Sequence, residues 1–220
     1  MNTAMRERLA VRHAQGITCE VQGCDYPVRN LSQCCKEHDL RNYRVGHPLG
    51  TTIRFSTIEP LVKVARRYLR DNQDHPAIHD ATAWLYHLIN DPRRKRVEYL
   101  TARSTPRERV DRWLDRLKNQ GIHEVGVLAV IVGMFMLRDL YPRDFKSDRH
   151  FTHQLVNRVC RMVRAPRQER WGGGQPIYTY DRVTAGVKDR LGAMLQGKLS
   201  LISSQIARLL SQSILDNKDT

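Results

Sequence analysis

The chain of 220 residues has no long apolar run, no excess of acidic side chains and no stretch at its N-terminus resembling an export signal. Its most apolar segment, Val125 to Leu137, is about thirteen residues long and includes Gly126 and Gly133, against the roughly 20 residues needed to cross a bilayer. It reads as a buried core helix, and no membrane partner is expected. The first fourteen residues carry Arg6, Glu7, Arg8 and Arg12 without an apolar core, so they do not read as a secretory signal, and the expected compartment is the cytoplasm. No solenoid-length repeat and no long low-complexity tract occur. Cysteines are few and odd in number: four lie between positions 19 and 35, and the fifth is Cys160. Clustering of this kind without an export signal points to metal binding before disulfides.

What the chain does have is positive charge. Thirty-seven Lys and Arg against 23 Asp and Glu leave +14 at neutral pH, a balance that favours polyanionic partners such as DNA or RNA. The composition, 40% hydrophobic and 27% charged, is that of a folded domain.

The fold class expected is mainly α, a small N-terminal zinc finger followed by a multi-helix, bundle-like domain. Residues 1–16 form an N-terminal helix in this reading, 17–48 the finger, 49–56 a connector, and 57–220 the helical domain with a Gly-rich loop near 171–176. Helix boundaries after residue 55 are well marked. Ser56 and Glu59 have capping-box spacing with Pro60 in the first turn, and the helix they begin ends near Asp71 or Asn72. Pro76 opens a second helix that stops before Asp91 and Pro92. Thr105, Pro106 and Glu108 repeat the cap pattern, and Gly121 closes that helix. A helix from about Ile122 to Leu140, apolar on nearly every side, is the expected centre of the domain. Ser147 or Asp148 caps the next helix, which Pro166 stops. Ile177 to Tyr180 reads as briefly extended, and two helices, 182–196 and 200–215, close the chain. The apolar side of the last one completes the core or docks another subunit.

Four ligands of a structural zinc ion are read at Cys19, Cys24, Cys35 and His38. Zinc takes a tetrahedron of soft or borderline ligands, commonly two cysteines on a turn and a second pair at a helix start. Cys19 and Cys24 bracket a turn containing Gly23, and Cys35 and His38 are three apart on one face of a helical turn. On spacing alone Cys34 competes with Cys35. The run Cys19…Gly23-Cys24-Asp25-Tyr26-Pro27-Val28…Cys35-Lys36-Glu37-His38…Arg41…Gly46-His47-Pro48 resembles a small Cys-Cys-Cys-His zinc-finger module common in bacteriophage and mobile-element DNA-binding proteins and beside homing nucleases. In that module a Gly-Cys follows the first Cys, Cys-x-x-His opens a short basic helix, and Gly-x-Pro ends it. The resemblance covers residues 17–48 and implies that Cys35 is the ligand and Cys34 a small buried neighbour. It also implies DNA binding and, frequently, an adjoining nuclease of the His-Asn-His class. Such a nuclease needs its histidines on a hairpin and an adjoining helix. His150, His153 and Asn157 instead share one helix, where they read as surface polar residues, with a second metal site as the alternative. His75, His79 and His87 read as surface residues too.

Two basic surfaces follow. Between residues 93 and 118 ten basic and four acidic side chains leave +6, with Arg93, Arg94, Lys95 and Arg96 at its head. Arg158, Arg161 and Arg164 recur at three-residue spacing, and Arg167 and Arg170 carry the charge toward Trp171 and three glycines. Arginine beside aromatic rings suits phosphates and unpaired bases. The glycines lack the Lys-Ser/Thr of a phosphate-binding P-loop. With Arg41 and Arg44 of the finger, these residues are the expected nucleic-acid contacts. The functional expectation is a non-catalytic, basic, zinc-containing nucleic-acid-binding accessory protein of a phage or other mobile element. The alternatives are an adaptor that docks a polymerase, reverse transcriptase or host defence complex, and a metal-dependent nuclease with an unrecognised active site.

Overall fold

The computed structural model describes residues 11, 16–28, 32–95, 100, 103–163, 167–168, 177–178 and 183–216. Among these, seven α-helices dominate: α1 (Lys36–Val45), α2 (Phe55–Asp71), α3 (Pro76–Asn90), α4 (Pro106–Asn119), α5 (Glu124–Leu140), α6 (Asp148–Cys160) and α7 (Ala185–Asp216). A 3₁₀ turn spans Pro142–Asp144, and β1 (Arg167–Gln168) pairs antiparallel with β2 (Ile177–Tyr178). The fold is mainly α, with a Cys/His cluster near the N-terminus. The expected helix over residues 1–16 lies outside the described residues apart from Val11 and Gly16, as does the glycine loop at 171–176.

Helix α5 is the centre. Every residue from Val127 to Leu137 is buried, and the helix packs against α2, α3, α6 and α7, as an all-round apolar helix must to remove its surface from water. It meets α2 closely: a Cβ on Gly133 would stand 2.9 Å from Cγ2 and 3.2 Å from the backbone nitrogen of Val62. Only the absence of a side chain lets the two helices meet there. No single helix among the described residues is long and apolar enough to cross a membrane.

Local signals set most boundaries. The capping box of α4 has both arms, Glu108 N–H donating to Thr105 Oγ1 at 3.3 Å and Thr105 N–H to Glu108 Oε2 at 2.7 Å. Ser147 Oγ accepts from His150 N–H at 3.1 Å and starts α6, and Pro76 occupies the first turn of α3.

Two boundary expectations are corrected. Helix α2 begins at Phe55 with Arg54 as its cap and no side-chain cap bond, so Ser56 is already helical. Glu59 instead pairs with Lys63 at 3.0 Å, and Pro60 lies inside the helix. The two closing helices are one, α7, of 32 residues. Val187, Leu191, Leu195, Leu199, Ser203 and Ile206 are all buried along it. That stripe at near-helical spacing runs through the expected break, so burial of the helix outweighs the roughly 1 kcal/mol that Gly197 costs in its interior.

Candidate functional site

The metal module starts as a short extended pair. Thr18 bridges Pro27, Val28 N–H donates to the Ile17 carbonyl at 3.1 Å and Cys19 N–H to the Tyr26 carbonyl at 3.0 Å. Between them the chain reverses through a turn closed by Cys24 N–H on the Val21 carbonyl, with Gly23 at φ +78°. Glu20 N–H reaches the Gln33 carbonyl at 3.0 Å, which draws the segment before α1 beside this turn. Cys35 caps α1 in an extended conformation, and its carbonyl accepts from Asp39 N–H at 2.9 Å. His38 therefore lies in the first turn of the helix, on the same side as Cys35.

The four ligand atoms come together. Cys19 Sγ and Cys35 Sγ are each 3.4 Å from His38 Nδ1, Cys24 Sγ is 3.9 Å from Cys35 Sγ, and all four atoms lie within 4.8 Å of one another. A tetrahedral ion with bonds of about 2.3 Å to sulfur and 2.0 Å to nitrogen has edges of roughly 3.5–3.8 Å, so this group can hold a metal ion. Cys34 is outside the cluster. It is half-buried, its N–H bonded to Ser32 Oγ at 3.2 Å, and burial pushes its thiol up, with the charge on Cys19 adding to that effect. Burial also acts to raise Cys19, but backbone donors at Cys35 and Val21, together with the side chains of His38 and Cys24, outweigh it and bring the thiol down to about 6. Cys24 moves the other way. The backbone at Tyr26 favours its thiolate, and burial with the sulfurs of Cys19 and Cys35 overrides that and raises it. Three sulfurs this close resist joint ionisation, and a cation among them removes the conflict.

The module is seated on the helical domain. Gly46, at φ +86°, ends α1 where a Cβ would be 2.6 Å from the Arg149 carbonyl oxygen and 2.9 Å from Cγ of His153. Lys188 Nζ donates to the Arg44 carbonyl at 2.6 Å, and Arg149 Nη1 to Asn42 Oδ1 at 3.4 Å. The connector is held as well: Ile53 N–H donates to Gln154 Oε1 at 3.2 Å.

His150 and His153 are buried completely, which corrects their reading as surface residues. Lys146 N–H donates to Nδ1 of His150 at 3.2 Å, so Nε2 carries the proton and donates to the Thr51 carbonyl at 2.8 Å. Burial holds this imidazole below its ordinary pKa range. His153 Nε2 meets Asp189 Oδ1 at 2.8 Å, and Asp189 also accepts from Arg149 Nε and Nη2, each at 3.2 Å. These histidines fasten α6 to the connector and to α7. Lys188, Asp189 and Arg149, which complete this polar joint, went unnoticed in the sequence. The signal was there for Lys188, which sits between Val187 and Leu191 on the buried stripe of α7.

The basic residues separate into outward and inward groups. Arg41, Arg44, Arg93, Lys95 and Arg161 are exposed. Arg94 is turned inward, its side chain 6% exposed. It binds the carbonyl oxygens of Ile89 and Leu88 and faces Asp115 at 3.3 Å and Asp111 at 3.8 Å. It therefore ties the end of α3 to α4 and is not a phosphate contact. Arg158 is also inside, 5% exposed, and shares a cavity with Arg161 and with Arg66 of α2, which sequence reasoning had passed over. The regular Arg158, Arg161, Arg164 stripe is thus not a single outward face, because α6 buries the side on which Arg158 lies. Arg96, Arg164, Arg170 and Trp171 lie outside the described residues, and Arg167 falls in β1 opposite Tyr178.

Comparison with known proteins finds no matching family model, curated protein or solved structure.

Proposed function

We propose that this chain is a basic nucleic-acid-binding accessory protein in which one zinc ion, held by Cys19, Cys24, Cys35 and His38, is structural. The observation that carries the reading is the cluster itself: three thiol sulfurs and one imidazole nitrogen within 4.8 Å of one another, at the start of a short helix whose exposed side bears Arg41 and Arg44. Soft sulfur donors in a tetrahedron select zinc among the common divalent ions, and four protein ligands leave no open position for chemistry. The net charge of +14 supports a polyanionic partner, reached through Arg41 and Arg44 together with Arg93 and Lys95. The resemblance of residues 17–48 to phage and mobile-element finger modules supports that setting and action in the cytoplasm.

The test is binding of the zinc-loaded chain to duplex DNA, single-stranded DNA and RNA by fluorescence anisotropy as salt is raised. The expected log–log slope is about −3 or steeper, as several phosphate contacts require. Replacing Arg41, Arg44, Arg93 and Lys95 by Gln lowers affinity for all sequences alike. Failure to bind any of the three at low salt would overturn the reading.

One observation favours a second reading, an adaptor that docks a polymerase, reverse transcriptase or defence complex. Leu201, Leu209 and Leu215 of α7 are 72%, 57% and 51% exposed. A protein partner that stays bound through nuclease digestion and is lost when these leucines become Asn would establish it.

A further inference from the structure

Between α2 and the C-terminal end of α6 lies a cavity of about 160 Å³, more than ten times the roughly 10–15 Å³ that admits a single water. The lining is mostly apolar, with Phe55, Val62 and Met162 in it, and it includes Arg66, Arg158 and Arg161. Phe55 stands at the edge, 54% exposed, so its ring is available to a molecule entering from solvent.

Arg158 is the unexplained element. It is only 5% exposed, and among the described residues its Nε has no hydrogen-bond partner. Among the described residues, none of the three arginines makes an ion pair. A buried guanidinium ordinarily has a carboxylate beside it, as Arg94 has Asp115 in this same chain. Among the described residues the charge that acts on Arg158 is Arg161, which, after burial itself, disfavours the charged form further. Among the described residues, then, the cavity has three cations and no counter-charge of its own.

We infer that this cavity receives the phosphate group of a nucleotide, with Arg158 and Arg161 holding the phosphate, Arg66 closing on it from α2, and the base or sugar lying against Phe55 and Met162. Three guanidiniums more than neutralise the double charge of a phosphate monoester and can serve its three free oxygens, which planar N–H pairs bind in a bidentate manner. The apolar wall accounts for a flat organic body attached to that phosphate, since an inorganic ion would leave it wet. The choice of nucleotide over other organic phosphates rests on the nucleic-acid reading. Two sources carry this chemistry, a free mononucleotide and the phosphorylated end of a strand.

The experiment is isothermal titration of the full zinc-loaded chain with adenosine 5′-monophosphate, adenosine and inorganic phosphate, followed by competition with a short single strand bearing or lacking a 5′-phosphate. The monophosphate is expected to bind saturably and at least tenfold more tightly than either fragment. Arg161→Gln, a change at an exposed position, weakens it tenfold or more. Arg158→Met removes binding while leaving the ligand-free Tm equal or higher, because an unpaired buried charge has become an apolar side chain. Arg67→Gln, beside Arg66 but outside the cavity, leaves binding unchanged. Displacement by the phosphorylated strand alone identifies a strand end as the source; displacement by neither strand identifies a free nucleotide. Monophosphate affinity no better than that of inorganic phosphate, or indifferent to Arg161→Gln, would overturn the inference. If polymers still bind in that case, the cavity proposal fails and the polyanion reading stands. If the monophosphate binds and no polymer does, the cavity stands and the polyanion reading falls.

Discussion

The ammonium of Lys188, buried near the start of α7, donates a 2.6 Å hydrogen bond to the carbonyl oxygen of Arg44 in the last turn of α1, 144 residues away. A cation at the C-terminal end of a helix satisfies a carbonyl that no later turn can reach and meets the negative end of the helix dipole. The contact ties the end of α1 to α7, beside the point where Gly46 meets Arg149 and His153 of α6.

Gly46 is the tightest point of that joint. Gly46→Ala requires an alanine at φ +86° with its Cβ against the Arg149 carbonyl. A cost of about 2–4 kcal/mol is expected, seen as a fall in Tm of roughly 5–15 °C in thermal unfolding. An unchanged Tm would mean that α1 is not seated on α6.

Adjacent arginines should behave differently. Arg94→Ala removes a buried guanidinium and strands Asp111 and Asp115, a loss of about 2–4 kcal/mol in denaturant unfolding. Arg93→Ala, at a side chain 92% exposed, is expected to leave stability within about 0.5 kcal/mol and to weaken polyanion binding. The reverse pattern would contradict the inward placement of Arg94.

Acid should loosen the connector. Burial lowers the pKa of His150 in the folded chain, so below the unfolded value of about 6.5 the unfolded chain binds more protons. Stability is fully present above that pH and falls as pH drops toward the lowered folded pKa, by at most about 1.4 kcal/mol per pH unit for this histidine. His150→Gln should flatten the slope of unfolding free energy between about pH 6.5 and 5 by up to one proton. The same slope in both proteins would show that His150 titrates as freely folded as unfolded.

The two neighbouring cysteines offer an internal comparison. Cys35→Ser is expected to weaken metal binding roughly 100-fold or more in a chelator competition, since the ligand bonds supply the folding free energy of so small a module. Cys34→Ser should leave it within a few-fold. Equal losses would mean that Cys34 shares the ion.

How far the sequence could be read depended on how local the cause was. The start of α4 was legible because Thr105, Pro106 and Glu108 interact within one turn. Ser56 and Glu59 have the same spacing but no such bonds, because the helix is already under way at Phe55. The Cys19, Cys24, Cys35 and His38 cluster was legible because all four fall within 20 residues, although spacing left Cys34 open and the structure places it outside the cluster. The burial of His150 and His153 was not legible, since their partners Thr51 and Asp189 lie 99 and 36 residues away. The inward turn of Arg158 likewise depends on how α6 packs against α5 and α7, which charge periodicity alone does not report.

The central claim is that Cys19, Cys24, Cys35 and His38 hold one zinc ion, and metal analysis of the purified chain by inductively coupled plasma mass spectrometry tests it most directly. The expected result is about one zinc per chain, retained through dialysis and lost with Cys35→Ser. A folded chain that retains no near-stoichiometric zinc would contradict it.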